Sequence, residues 1–158
     1  MTSSRKIYLA GSWKNAETIL RLQDLLISEG HKVDCFASTN TGRTSFNWAE
    51  LTQALGAKTR EDAEIILKDM DAIDLLAFAR VQKAFAEDKK WLDWCNIVIL
   101  ILPSGKSAHL EAGYAKGQGK EMIIFGDFIK GDRDVMYGFA NGLFRECELD
   151  KMLEYLRR

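Results

Sequence analysis

Residues Asn96 to Leu102 read NIVILIL, and no other stretch limits the fold so strongly. An almost unbroken run of β-branched and leucine side chains has no polar face to turn toward water. A strand made from it must be covered on both sides, which is the setting of a central strand in a parallel sheet. Pro103 lacks the backbone N–H needed to continue the ladder and closes the run. The segment is also far shorter than the roughly 20 apolar residues that span a bilayer, so it reads as core. Parallel neighbours need long crossovers, usually helical, so the rest of the chain has to supply strand–helix–strand units.

It does so on both sides of the run. Ile7 to Ala10 is a short apolar stretch closed by Gly11, and Val33 to Ala37 is a second one entered from Gly30 and His31. Between them Ile19, Leu22, Leu25 and Leu26 recur at steps of three and four, which predicts a helix with one apolar face, ended by Gly30. After Pro103, SGKSAHLEAGYAKGQGK predicts a turn and a helix rich in small residues, and Met122 to Phe125 predicts another buried strand. From about Arg60 to Trp94 the apolar positions Ile65, Ile66, Met70, Ile73, Leu76, Ala77, Val81 and Phe85 keep helical spacing. A break near Asp69 to Asp74 makes this two helices or one bent helix. Leu149 to Leu156 predicts an amphipathic helix, and Ser38 to Asn47, polar and without periodicity, predicts a mobile connection. The expectation is an α/β fold over residues 1–158 as one domain: three layers, with a flavodoxin- or Rossmann-like parallel sheet of four or five strands and helices on both faces.

Charge narrows the partners. Lysines and arginines number 22 against 23 acids, so no overall field draws in a nucleic acid polymer or an anionic membrane, and any anion must be held locally. Cys35, Cys95 and Cys147 are odd in number, far apart and outside any CxxC spacing, which argues against a disulfide framework or zinc site and for buried reduced thiols. His31, His109 and the scattered acids suggest no metal. The opening MTSSRKIYLAG has too short an apolar run for a secretory leader, so a cytoplasmic location is expected.

Open α/β sheets bind ligands beyond the carboxyl ends of their strands, and two loops are equipped for this. The first reads Gly11-Ser12-Trp13-Lys14-Asn15. The glycine lets a ligand approach the backbone; Trp13 is either a flat stacking surface or a side chain packed on the sheet edge. The second reads Pro103-Ser104-Gly105-Lys106-Ser107 and leads into the small-residue helix. Hydroxyls, backbone amides and a lysine at a helix N-terminus are the parts of a phosphate or carboxylate cradle, although the Walker spacing is absent and Ser107 also fits a plain helix cap. Glu111 follows one turn later, among Ala108, Ala112, Gly113 and Ala115. Aimed into a crevice it is a nucleophile or base; an early helical glutamate also simply suits the helix dipole.

Three segments together, KIYLAGSW from Lys6, DKKWLDWCNIVILILP from Asp88, and PSGKSAHLEAGYAKGQGK, resemble the nucleoside 2-deoxyribosyltransferase superfamily, which includes nucleoside 5′-monophosphate N-glycosidases. The most specific element is a small-residue loop followed by Glu-x-Gly-x-Ala, here Glu111 to Ala115; Ser38 to Phe85 carries no signature. The resemblance implies that Glu111 is the nucleophile attacking C1′ of the sugar, that Tyr8 orients it, that Asp88 serves near the base, and that Trp13 stacks on the base. It implies no cofactor and no metal, a small nucleotide or nucleoside as ligand, and a homo-oligomer in which a neighbouring subunit lends a residue, with Tyr137, Phe139 and Tyr155 as candidates. The transferases place an aspartate before the nucleophile to receive a free 5′-hydroxyl. Here Ser104, Gly105, Lys106 and Ser107 stand in that loop, with Gly11 and Ser12 as further donors, and such a set favours a 5′-phosphate.

Hydrolysis of a nucleoside 5′-monophosphate is therefore the expectation. Base exchange between nucleosides is a second enzyme reading, and a nucleotide sensor or effector domain without efficient turnover is a reading of another class. Arg43, Asn47 and Trp48 lie in the unmatched stretch where base selection is expected in part, Arg43 being of the type usually solvated in a polar loop. His109, two residues before Glu111, reads as a surface histidine or a member of the pocket rim.

Overall fold

The structure is a computed structural model and describes residues 4–38, 43, 46–128 and 133–158. Much of the Ser38 to Asn47 connection, namely residues 39–42, 44 and 45, lies outside the described residues. The chain divides into two compact units, residues 1–41 with 90–158, and residues 42–89.

The first unit is built on β1 (Lys6–Ala10), α1 (Ala16–Ser28) and β2 (Lys32–Cys35). The helices of the second unit are α2 (Trp48–Ala54), α3 (Arg60–Asp69) and α4 (Ala72–Ala77), followed by α5 (Ala79–Trp94), whose last residues fall in the first unit. The first unit continues with β3 (Ile97–Leu102), α6 (Lys106–Gly117), β4 (Glu121–Gly126), β5 (Gly142–Phe144) and α7 (Leu149–Leu156).

The five strands form one parallel sheet in the order β2-β1-β3-β4-β5, the flavodoxin-type order expected of alternating strands and helices. All six residues of β3 are buried, as a strand covered on both faces must be. Alternation then sorts the core. Ile7, Leu9, Ile97, Ile99, Ile101, Ile123 and Phe125 face α1 and α7, meeting Ile19, Leu22, Leu26, Met152, Leu153 and Leu156. Tyr8, Ala10, Val98, Leu100, Leu102, Met122 and Ile124 face the other way and meet Ala108, Ala112 and Ala115 of α6 with Leu92 of α5. Helices on both faces of the sheet make the fold a three-layer α/β fold.

Close approach fixes one glycine. Gly126 ends β4 with φ +134°, and a Cβ there would lie 2.4 Å from the carbonyl oxygen of Leu102 on β3. Gly30 takes φ +90° just past α1, in the expected C-terminal place.

The differences from expectation have local causes. β2 stops at Cys35, and Phe36 and Ala37 belong to the turn that follows. The 60–94 region holds three helices. Asp71 caps α4 through Ile73 N–H and Asp74 N–H, as the expected break requires, whereas the second break falls at Phe78, where no proline, glycine or capping side chain announces it. The Gln82 amide donates to the carbonyl of Leu76 freed by that break. β5 is three residues long and half exposed, too short for a periodic signal. Cys35 and Cys95 are buried thiols, but Cys147 is exposed because it sits on the 3-10 turn that precedes α7. Among the described residues, no helix is long and apolar enough to cross a membrane.

Within the second unit, Asn47 caps α2 and a Thr59–Asp62 capping box starts α3. Leu51 is buried, and a cavity of about 260 Å³ is lined by Trp48, Leu67, Met70 and Leu75.

Candidate active site

The side chain of Tyr8 projects from β1 toward α6 and is fully buried, because residue 8 takes the α6 face by alternation. Its hydroxyl donates to Oε1 of Glu111 at 3.3 Å. Glu111 is half-buried on the second turn of α6, beside the face on which Ala108, Ala112 and Ala115 rest against the sheet. A buried phenol on β1 thus holds one carboxylate oxygen of the helix that follows β3.

Two loops meet near this pair. After β1, Ser12 accepts from the Lys14 N–H and starts a short 3-10 turn over Trp13–Asn15. The amide nitrogen of Asn15 donates to the carbonyl of Pro103 at 2.6 Å, fastening the loop after β1 to the loop after β3. Trp13 is 51% exposed and touches Phe36 edge-on, with centroids 4.6 Å apart, so about half of the residue stays open to solvent. The space above Gly11 is taken by Ile19, whose Cδ1 would lie 2.5 Å from a Cβ at that position.

In the second loop the Leu102–Pro103 peptide is cis. Ser104 Oγ is buried and has no hydrogen-bond partner among the described residues, which is unusual for a hydroxyl shut away from water. The helix cap is Gly105, which has no side chain to satisfy the first N–H groups of α6; Ser107 lies inside the helix and is not its cap. Lys106 and Ser107 are exposed.

His109 is half-buried and lines a cavity on its side of α6, so of the two expectations the pocket rim describes it better than a plain surface side chain. Its Nδ1 lies 2.8 Å from the carbonyl oxygen of Gly105 and its Nε2 lies 3.1 Å from the hydroxyl of Tyr137, over which the ring stacks at 17°. Tyr137 belongs to a 3-10 turn, Val135–Phe139, and is itself buried. A cavity of about 540 Å³ opens on this side of α6 between Leu100, Met122, Met136, Tyr137 and Phe139.

Of the three residues expected to do chemistry, Tyr8 and Glu111 are bonded to one another. Asp88 belongs to the 42–89 unit, where two guanidinium nitrogens of Arg43 each lie 2.9 Å from its Oδ1. Arg43, expected to be solvated, has a side chain only 5% exposed. Of the aromatics expected to reach a neighbouring subunit, Tyr155 donates to Glu121 at 3.0 Å and Tyr137 is tied to His109, while Phe139 is 54% exposed. The Asn15–Pro103 and His109–Gly105 links escape sequence reading because each joins a side chain to a backbone carbonyl, which leaves no residue-type signature. Among the described residues, no group of three or more His, Cys, Asp or Glu side chains is set to hold a metal.

Fold and site together define a three-layer α/β protein with a tyrosine-held glutamate beside the loop that follows its central strand. No protein-family model matches the chain, and no curated protein matches it. Among solved structures it is similar to the CMP N-glycosidase BcmB of Clostridium botulinum, at 16% sequence identity over 95% of this chain and 96% of that one, with a TM-score of 0.49.

Proposed function

We propose that this chain is an N-glycosidase that hydrolyses the base–sugar bond of a nucleoside 5′-monophosphate. The observation that carries the reading is the hydrogen bond from the buried Tyr8 hydroxyl to Glu111. A carboxylate held in one orientation beside the strand ends, where α/β sheets take their ligands, is suited to attack from a fixed direction.

The reaction divides into two displacements. One oxygen of Glu111 attacks C1′ as the C1′–N bond breaks; the base leaves with the bonding electrons and takes a proton from solvent water. A glycosyl ester now joins the sugar to Glu111. Water then adds at C1′ and loses a proton to solvent, the ester C–O bond breaks, and a pentose 5-phosphate departs with the carboxylate restored. Tyr8 steadies the second oxygen and, as a donor, tempers its charge in the resting site.

The other end of the substrate is the phosphate. Support comes from Ser104, whose buried hydroxyl lacks a partner among the described residues, and from the first turn of α6, whose N–H groups Gly105 leaves without a side-chain cap. Lys106 and Ser107 add charge and a hydroxyl, Ser12 a further donor, and Trp13 offers a face for the base.

The test is base release from a panel of nucleoside 5′-monophosphates and the matching nucleosides, with Glu111→Gln as control. Base and pentose 5-phosphate are expected from a monophosphate, and no product from the variant. Preference for unphosphorylated nucleosides would overturn the phosphate assignment, and full activity of the variant would overturn the nucleophile. A free acceptor base in the same assay yields a new nucleotide only if transfer competes with water. We also propose self-association through the exposed Phe139 face, checked by the solution mass of the wild type against Phe139→Asp.

A further inference from the structure

We infer that His109 is a positioning residue that sets the phosphate-binding amides of the loop before α6, an inference that rests on the proposed N-glycosidase reading. Gly105 O can only accept, so Nδ1 carries the proton in its 2.8 Å contact, and in the neutral ring Nε2 then accepts from the Tyr137 hydroxyl at 3.1 Å. The same carbonyl is bonded only weakly by the helix itself, since His109 N–H reaches it at 3.4 Å. The imidazole is therefore the closer of the two holds on the Gly105–Lys106 peptide.

That peptide has little else to fix it. Gly105 lacks a side chain that could pack, and a Cβ built there would meet nothing within 4 Å, so the position has no side-chain hold of its own. In a trans peptide the C=O and the following N–H point in opposite directions. Anchoring the Gly105 oxygen on His109 therefore turns the Lys106 N–H the other way, off the end of the helix, where the phosphate is proposed to lie. The anchor is itself braced: Tyr137 is buried, stacks under the imidazole, and belongs to a turn capped by Asp134, whose Oδ1 accepts from the Met136 N–H at 2.8 Å. Glu111 lies on a different side of α6 from His109, so the effect falls on the phosphate and not on the nucleophile.

The experiment compares His109→Ala, His109→Asn and His109→Gln on a nucleoside 5′-monophosphate that the wild type cleaves and on the matching nucleoside, with melting temperatures measured alongside. Asparagine places its amide N–H near the position of Nδ1 and can keep the bond to Gly105; glutamine reaches the position of Nε2 and can keep only Tyr137. For His109→Ala we expect a KM for the nucleotide raised about tenfold, kcat within about twofold, and unchanged constants for the nucleoside, as loss of one hydrogen bond used equally in binding and reaction requires. Asparagine should restore most of the KM and glutamine little of it. Equal losses on nucleotide and nucleoside, rescue by glutamine instead of asparagine, or no change in any variant would overturn the positioning role while leaving the N-glycosidase reading intact. A wild type that releases base from no nucleotide overturns that reading and, with it, this inference.

Discussion

Replacing Gly126 by alanine should damage the protein far more than the addition of one methyl suggests. The added Cβ would sit 2.4 Å from the Leu102 oxygen, 3.0 Å from its nitrogen and 3.2 Å from its carbonyl carbon. All three are backbone atoms of β3, so no rotamer change relieves the clash. The residue also holds φ +134°, where a side chain adds strain of about 1–3 kcal/mol. Separating the ends of β3 and β4 loosens the last rung of their pairing, Leu102 against Gly126, and one weakened backbone hydrogen bond costs about 1 kcal/mol more. The sum is about 2–4 kcal/mol, a large part of the roughly 5–15 kcal/mol that holds a domain together. At about 2–4 °C per kcal/mol for a chain of this length, the melting temperature should fall by about 10 °C. Gly113→Ala is the matched control, because that position lies inside α6 with nothing within 4 Å of the new atom, and helix propensity alone should raise stability by about 0.5–1 kcal/mol. Calorimetry and urea titration of both variants decide the matter. A Gly126→Ala protein that melts within about 2 °C of the parent would refute the steric reasoning.

Tyr8→Phe removes the 3.3 Å bond to Glu111; hydrogen bonds to charged groups contribute about 1.5–3 kcal/mol, and a long one belongs at the low end, so kcat on a cleaved nucleotide should fall about tenfold with the fold intact by circular dichroism. Unchanged turnover would remove Tyr8 from the mechanism. Burial lowers the pKa of His31 below its ordinary 6.5, and its Nδ1 accepts from the Arg5 N–H at 3.3 Å, a bond that protonation destroys. The unfolded chain therefore binds more protons just below pH 6.5: the stability is fully present above that value and is lost as pH falls through the lower folded-state pKa. His31→Gln should flatten the difference between urea midpoints measured at about pH 7.5 and about pH 5, and a slope as steep as in the parent would assign the loss to other groups. Cys147 is exposed while Cys35 and Cys95 are buried, the Cys95 thiol being pushed up to about 11 by desolvation. Of the three thiols, only Cys147 should react with a thiol reagent in the native protein, the other two following only on unfolding; fast native labelling of Cys95 would contradict its burial.

The sheet was legible where burial leaves a pattern. β3 could be read from seven letters because a strand covered on both faces has no polar position, and α7 because its apolar residues keep one face. Ser107 misled because a serine near a helix start resembles a cap, while the backbone in fact turns one residue after Ser104, at Gly105. The α4–α5 break was invisible for lack of any punctuating residue, and β5 for lack of length. In the candidate site, Glu111 stood out among small residues, whereas its contact with Tyr8 spans 103 positions and came only through family resemblance. His109 was undervalued because a histidine's worth depends on which carbonyl and which hydroxyl lie opposite its two nitrogens, and composition says nothing of that.

Ala108, Ala112 and Ala115 are all but inaccessible beneath α6. Methyl-sized feet let a helix ride low, and the short stem of a glutamate can then span the gap down to a phenol standing on the strand below. Leucine at any of the three would jack the helix upward or tilt it, carrying the acid out of reach though it touches no reactant. Ride height is therefore a lever on reactivity that sits wholly beneath the working surface, and a redesign of this cleft has to leave those three footings alone.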